Sequence, residues 1–328
     1  MKSKITFIIT DTHFGVRQNS VTWINSQLDF LYNQLIPHIQ QCKDSNLYEC
    51  IELIHMGDVF DSRSTISTLI ASKVVKVFKE LNDLCDVHII AGNHDFYSPN
   101  SDEVDTLSLI LKQTNVNLYT NKPYINDNNL YIPWYQWGSV ETQELIINQP
   151  IKNIFTHTDI VTQQIPYIQL GDINIFSGHI HTPSINKNKR LYNLGSCYSL
   201  NFADANCEHG YYTIVDNGFP TFYPNTKSIK FWRLYNEDIF DSKKYKNINS
   251  KDYVELYISQ TNMIDQNYVE KINEYTNNLK NIWIIPQVEM DGGESLEKFE
   301  GYDIEKITKK MIPAELMDKF NMVLNYNN

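Results

Sequence analysis

Ile51-Glu52-Leu53-Ile54-His55-Met56-Gly57-Asp58-Val59-Phe60-Asp61 starts as a short, largely apolar run and breaks at a glycine into a pair of acids. The run through Met56 reads as a buried strand, and the residues after it read as the loop that the strand feeds. The same pattern stands on either side. Ile5 to Thr10 ends at Asp11-Thr12-His13, and Val87 to Ala91 ends at Gly92-Asn93-His94-Asp95. Between the first two runs, Ile24, Leu28, Leu31, Leu35 and Ile39 keep a helical period, which Pro37 is expected to kink or end. Between the second and third, Leu69, Val74, Val77, Leu81 and Leu84 keep another. A β-α-β-α-β order predicts an α/β architecture whose strand ends carry the polar loops.

Further along, strands are predicted at Asn153 to Thr156, Ile173 to Ser177, Arg190 to Leu194 and Tyr211 to Val215, a mixture that suits two packed sheets with helices outside. After Pro224 the character changes to the basic, aromatic run Lys227 to Arg233 and a lysine-rich stretch from Lys243 to Lys251. Beyond it, Tyr253 to Ser259, Gln266 to Leu279 and Trp283 to Val288 read as a β-α-β unit. The chain therefore divides into 1–225, 226–290 and a tail, 291–328, that opens at Gly292-Gly293 and holds a helix or two broken near Pro313.

With 42% hydrophobic and 20% charged residues, the chain can build a sizeable core and is not expected to be disordered. Neither a signal peptide nor an apolar stretch of about 20 residues is present, so no membrane association is expected. Five cysteines without a C-x-x-C pair point away from a disulfide framework or a thiolate zinc site, and toward a reducing, cytoplasmic setting. A net charge of −11 argues against a passive coat on nucleic acid, whose affinity comes from neutralising many phosphates. It leaves room for an enzyme that meets a polyanion through metal ions and a local basic face.

Five clusters follow predicted strands: Asp11-Thr12-His13, Gly57-Asp58-Val59-Phe60-Asp61, Gly92-Asn93-His94-Asp95, His157 and Gly178-His179-Ile180-His181. Carboxylates offset the repulsion between two divalent cations, and neutral imidazoles and an amide oxygen complete the shells without adding charge. Asp58 is the candidate bridge between two ions about 3.5 to 4 Å apart, which would acidify a water and polarise a phosphoryl group. Residues i and i+2 of an extended segment point the same way, which predicts extended backbone at Asp11/His13 and at His179/His181. The glycines let backbone crowd the centre. With 12 glycines and 9 histidines, a Gly-His-x-His word is expected by chance only roughly 0.01 times, so its occurrence after three other clusters is no accident. His157 sits in Thr156-His157-Thr158-Asp159, which has little pattern of its own, and enters the set because the ligand count requires it.

Asp11/His13, Gly57-Asp58-x-x-Asp61, Gly92-Asn93-His94-Asp95, His157 and Gly178-His179-x-His181 together resemble the calcineurin-like metallophosphoesterase superfamily. The run Gly57 to Arg63 and the segment Tyr192-Asn193-Leu194-Gly195-Ser196 resemble its SbcD nuclease branch, which includes the eukaryotic double-strand-break repair nuclease and phage recombination endonuclease subunits. The resemblance covers roughly residues 4 to 215. It implies an α/β fold, a β-sandwich flanked by helices in α-β-β-α layers, followed by a small α+β capping domain. It implies that Asp11, His13, Asp58 and His181 hold one ion and Asp58, Asn93, His157 and His179 the other, with Mn²⁺ the usual metal. His94 would be catalytic, contacting the scissile phosphate and steering or protonating the leaving oxygen. Asp95 would hold His94, and Asp61 would support the ligands. The implied partners are DNA, a second copy of the chain in a homodimer, and an SbcC-like coiled-coil ATPase, with the tail from about Leu296 as its docking helix. The implied activity is that of a DNA exonuclease with endonuclease capacity in repair, recombination or replication, in the cytoplasm, or the host cytoplasm if viral.

Two other readings stand beside it. A metallophosphatase for phosphoproteins, nucleotides or small esters would use the same centre, although Asp61-Ser62-Arg63 departs from the Val-Asp-Arg-Gly of phosphoprotein phosphatases. A scaffold with a vestigial site would not need an intact ligand set. Lys227 to Arg233 either grips a DNA backbone or forms a solvated strand edge, and Trp134 and Trp137 are expected in the core. His38, His55, His88 and His209 are expected to be structural or surface residues.

Overall fold

The alternation of Ile5, Phe7 and Ile9 with Ile8 along the first strand divides its side chains between two apolar layers. That division sets the architecture of the computed structural model, which describes residues 3–98, 100–160, 172–216, 218–241 and 247–287. One six-stranded sheet runs in the order Thr221–Pro224, Gly210–Val215, Ser3–Ile9, Tyr48–His55, Asp86–Ile90, Asn117–Tyr119. Its outer face packs on helices Val21–Phe30 and Thr68–Leu84 through Phe7, Ile24, Leu53, Val77, Phe78 and Ile89. Its inner face presents Ile8, Ile54, Ile90 and Tyr212 to a second six-stranded sheet.

The second sheet has the order Ser184–Asn186, Leu191–Asn193, Asn174–Ser177, Asn153–Thr156, Asn129–Ile132, Tyr124–Asn126. Its parallel register places Tyr131 beside Phe155, Phe155 beside Phe176 and Phe176 beside Tyr192. The rings stack at 5.6, 5.2 and 4.9 Å, an aromatic ladder that fills the space between the sheets. Leu130, Ile132, Ile154 and Ile175 point the other way, where Leu145 and Ile146 of helix Val140–Asn148 cover them. The layers are therefore α-β-β-α, as the resemblance implied.

Pro37 does not end its helix. The segment continues from Val21–Phe30 through a π-helical stretch, Leu31–Leu35, into Ile36–Ser45. Pro37 lacks the N–H for an i→i−4 bond and its ring crowds the upstream carbonyl, and the wider π turn just before it accommodates both.

A three-stranded sheet, Phe231–Tyr235, Tyr253–Ser259 and Asn281–Gln287, carries helix Gln266–Thr276 and its own apolar cluster of Leu234, Val254, Leu256, Ile258 and Ile272. The basic, aromatic run becomes the first strand of this sheet. Phe231 and Leu234 are buried, Trp232 Nε1 donates to Asp252 at 2.9 Å, and Arg233 pairs with Glu255 at 2.9 Å. By internal contacts the chain divides after Pro286, which leaves sandwich and small sheet in one unit and the tail in another. The expected tail, 291–328 with its docking helix, and Lys243 to Lys246 lie outside the described residues. Among the described residues no helix is long and apolar enough to cross a membrane.

Candidate metal centre

Ser3–Ile9, Tyr48–His55 and Asp86–Ile90 are mutually parallel, and so are Asn153–Thr156 and Asn174–Ser177 in the other sheet. Loops that leave the C-terminal ends of parallel strands share one edge, which is how residues up to 170 positions apart meet. The Asp11 and His13 amides donate to the carbonyls of Gly57 and Asp58, each at 3.0 Å, stitching the first two loops together. The backbone there is not extended as the i, i+2 argument predicted. Asp11, His13, Asp58 and His179 have φ of 52, 41, 52 and 77°, left-handed conformations that L residues adopt at a cost of about 1 to 2 kcal/mol each. Asp11 and His13 nonetheless turn into the same site, while the hydroxyl of Thr12 between them donates to the Val59 carbonyl at 3.1 Å.

Six of the predicted ligands fall into two groups whose donor atoms lie within 4.8 Å of one another: Asp11, His13 and His181, and Asp58, His157 and His179. Asp58 Oδ2 stands 3.2 Å from His157 Nε2 and 3.6 Å from His13 Nε2, so its carboxylate lies between the two sets. His181 Nε2 and His13 Nε2 are 3.7 and 3.8 Å from Asp11 Oδ1. Asn93 Oδ1 is 3.0 Å from His179 Nδ1. All seven predicted ligands are thus gathered; His13, Asp58, Asn93, His179 and His181 line an open cleft of about 340 Å³, and Asp11 and His157 lie buried behind them.

The donor set fits divalent cations. His13 Nδ1 and Nε2 and His157 Nε2 are buried without a hydrogen-bond partner, an arrangement that is costly unless a cation completes it. His157 Nδ1 is 2.6 Å from the Met56 carbonyl, which can only accept, so Nδ1 carries the proton and the lone pair of the neutral ring is on Nε2. The electrostatics of the buried groups carry the same deficit of positive charge. Burial pushes both imidazoles down, yet the carboxylates Asp11, Asp61 and Asp58 raise His13 to about 10, and Asp58 and Asp11 raise His157 to about 9. Burial pushes Asp11 up, but His157, His13 and His181 bring it down to about 2. Asp58 is opposed by burial in the same way and is held far below the ordinary carboxylate range by His157 and His13.

Around the ligands, Asp61 Oδ1 is 3.4 Å from His13 Nδ1, and the Asp61 carbonyl accepts from His94 Nδ1 at 2.6 Å. His94 therefore presents Nε2 as its remaining nitrogen in the cleft. His94 also falls within 4.8 Å of His13 and Asp58 donor atoms, so distance alone does not set it apart from the ligands. Asp95 does not grip the His94 ring. It is fully buried and accepts from the amides of Val59 at 3.0 Å, Phe60 at 3.2 Å and Gly92 at 2.9 Å, which ties the Asp58 loop to the Asn93 loop. Burial and the Asp58 charge push it up to about 7, against the pull of those amides. A Cβ on Gly92 would lie 2.3 Å from Asp58 Oδ1, and one on Gly178 would lie 2.0 Å from Thr10 Oγ1. Both positions need the smallest residue because backbone passes directly over a ligand loop.

The sequence reading missed three supports. Asp204 Oδ1 stands 3.8 Å from His181 Nδ1, and its Oδ2 accepts from the Leu200 amide at 2.9 Å. Its signal was the Asn201-x-x-Asp204 capping box. Gln27 Nε2 at 2.9 Å and the Tyr198 hydroxyl both donate to the Thr12 carbonyl, bracing the left-handed loop from a helix and a distant turn. Trp134, expected in the core, packs on it in part and also sets its ring 4.7 Å from His179. His55, buried and donating from Nε2 to Thr12 Oγ1 at 2.8 Å, is lowered by burial to about 3 and stays neutral behind the site.

Among solved structures, the chain is similar to nuclease MPE of Pseudomonas putida, with 14% identity and a TM-score of 0.29 over 57% of this chain and 66% of that one, just under two thirds. It is similar to a protein of unknown function from Aquifex aeolicus, with 16% identity and a TM-score of 0.26 over 52% and 88%. It is also similar to phosphopantetheinyl hydrolase from Mycobacterium tuberculosis, with 11% identity and a TM-score of 0.30 over 60% and 90%. None of the curated proteins matches it. The loops that build the centre lie within residues 6–209, which match the calcineurin-like phosphoesterase family, and the chain belongs to that family of metal-dependent phosphate-ester hydrolases.

Proposed function

We propose that the chain is an Mn²⁺-dependent DNA nuclease, an exonuclease with endonuclease capacity, that works as a homodimer with an SbcC-like coiled-coil ATPase in DNA repair, recombination or replication. The observation that carries the hydrolytic part is the Asp58 carboxylate standing 3.2 and 3.6 Å from His157 and His13, where it can serve two ions at once. The choice of DNA rests on the Gly57 to Arg63 run and the Tyr192 to Ser196 segment, which resemble the SbcD branch. On this reading residues 226–290 cap the substrate cleft, the tail docks on the ATPase, and the enzyme works in the cytoplasm, the host's if the chain is viral.

Asp11, His13, Asp58 and His181 would hold one ion and Asp58, Asn93, His157 and His179 the other. When bound, two such ions supply Lewis acidity and an activated water. The remaining work belongs to the chain. His94, fixed through Nδ1 by the Asp61 carbonyl, offers Nε2 to the phosphate and delivers a proton from it to the leaving oxygen. Asp95 and Gly92 keep the Asp58 and Asn93 loops at a fixed separation. Trp134 covers His179 on its flank.

The test is incubation of the purified chain with end-labelled DNA and Mn²⁺, with and without the ATPase, beside a phosphopeptide. Cleavage of DNA at a higher rate than phosphopeptide is expected. Phosphopeptide turnover without DNA cleavage would move the assignment to a metallophosphatase. His94→Ala is expected to retain its metal while losing about 10²-fold or more in cleavage, the usual contribution of a positioned acid. Unchanged cleavage would remove His94 from the mechanism.

A further inference from the structure

We infer that Arg17 forms a second phosphate seat beside the metal centre, one that takes the backbone phosphate next to the phosphodiester being cut. This deepens the nuclease reading and rests on it. Arg17 lines the same cleft as His13, Asp58, His94 and His181, and among the described residues it is the one lysine or arginine that does so. Its guanidinium carbon lies 5.0 Å from the ring centroid of Trp23, 5.3 Å from Phe231 and 5.4 Å from Tyr253. Those rings pack on each other, Trp23 on Phe231 at 5.6 Å and Phe231 on Tyr253 at 5.1 Å, so the platform is built jointly by the first long helix and the small C-terminal sheet.

Three features turn this contact into a seat. A guanidinium lying against rings spends its π face on them and keeps its N–H edge for an anion, with the planar fork that matches a phosphate. Among the described residues no carboxylate pairs with Arg17 and its side chain makes no hydrogen bond, so the edge is unspent. The backbone is held in an unfavourable shape to place it. Arg17, Gln18 and Asn19 have φ of 54, 57 and 60°, three left-handed L residues in a row, each costing about 1 to 2 kcal/mol. The turn is locked by Asn19 N to the Gly15 carbonyl at 2.8 Å, and by Asn19 Oδ1 accepting from the Ser67 amide at 3.0 Å.

With a chain of net charge −11, a polyanion needs local cations, and His94 and the metal ligands serve the scissile group. Arg17 is left for a neighbouring phosphate, which a polynucleotide has and a simple phosphate ester lacks. It is a substrate-binding residue of the strand, placed by the cap.

The test compares His94→Ala with the double variant Arg17→Gln, His94→Ala, each loaded with Mn²⁺, binding a fluorescent single-stranded oligonucleotide at several KCl concentrations. Loss of one strand contact is expected to weaken binding about tenfold at low salt and to reduce the slope of log Kd against log salt by about 0.7. Arg17→Lys in the same background is expected to keep the slope. In the active enzyme, Arg17→Gln is expected to raise KM for the oligonucleotide by more than it raises KM for bis(p-nitrophenyl) phosphate, which has a single phosphate. An unchanged slope accompanied by a lower unfolding temperature would make Arg17 a latch between core and small sheet and overturn the inference. If the wild-type protein hydrolyses bis(p-nitrophenyl) phosphate but leaves the oligonucleotide intact, the nuclease reading falls, and the slope still decides whether Arg17 seats a strand phosphate.

Discussion

Replacing Asp95 by alanine should unfasten the metal centre without touching a ligand. Its two oxygens satisfy three buried amides, those of Val59, Phe60 and Gly92, at 3.0, 3.2 and 2.9 Å. Each buried donor left without a partner costs about 1 to 3 kcal/mol, and partial relaxation lets a water serve one of them, so the loss should come to roughly 3 to 5 kcal/mol. For a chain of this size that is a fall in Tm on the order of 10 °C. Asp95→Asn keeps an acceptor for Val59 and Phe60 but sets an amide N–H₂ against the Gly92 N–H, so it should lose about 1 to 3 kcal/mol. The two should also differ in pH response. Asp95 in the folded, metal-free protein is raised to about 7 from an ordinary value of 3.8. A raised carboxyl contributes stability fully present below about 4 and lost as pH rises through about 7. Asparagine has no such term, so the gap between wild type and Asp95→Asn should narrow from pH 5 to pH 8. Thermal unfolding in chelator across that range measures both, and metal content by mass spectrometry should show weakened retention in Asp95→Ala. A Tm within 2 °C of wild type with both ions retained would refute the bracing argument.

Two further outcomes follow from the geometry. In the metal-free protein at pH 7, His13 and His157 are protonated because their values are raised from 6.5 to about 10 and about 9. Ligation needs both neutral, so loading should release up to about two protons per chain, and affinity should climb with pH until the imidazoles titrate at about 9 and about 10. Calorimetry in buffers of different ionisation enthalpy counts them, and release near zero at pH 7 would contradict the assignment. Asp204→Ala removes the carboxylate 3.8 Å behind His181 and should weaken retention of the ion held with Asp11 and His13 by about 10- to 100-fold, read by competition with a chelating dye. Equal affinity in that variant would make Asp204 a capping residue only.

How far the sequence carried the reading depended on the kind of physics involved. Short, largely apolar runs and strand-end punctuation located the first three strands to within a few residues, because burial on both faces of a sheet forces that pattern. The polar clusters were legible for the same reason, since each follows a strand that could only be buried. The path of the backbone through them was not. Asp11, His13, Asp58 and His179 are left-handed; aspartate and histidine tolerate that conformation better than most residues, but their identity alone does not dictate it, and at Asp11 and His13 it is fixed by hydrogen bonds to the carbonyls of Gly57 and Asp58 in another loop. Pro37 illustrates the converse, a local rule overridden by a wider turn upstream. Trp134 was assigned by the general tendency of tryptophan toward cores, and only the tertiary path of its loop sets it against His179. Asp204 and Gln27 act on residues more than ten positions away, a relation that spacing cannot carry.

The centre joins two unfavourable arrangements, and each explains the other. Asp11 and Asp58 are buried side by side, and ligand residues occupy left-handed backbone, so the loops would relax apart if nothing restrained them. The restraints come from outside the loops: Gln27 and Tyr198 on the Thr12 carbonyl, Asp95 on three amides, Asp204 behind His181. Those side chains are therefore what keeps donor atoms within 4.8 Å before any cation arrives. A centre organised in advance does not have to spend binding free energy on gathering its ligands, and more of the cation's charge is then available to a phosphate. The same logic makes the braces, rather than the ligands, the positions where a substitution should weaken metal retention gradually instead of abolishing it.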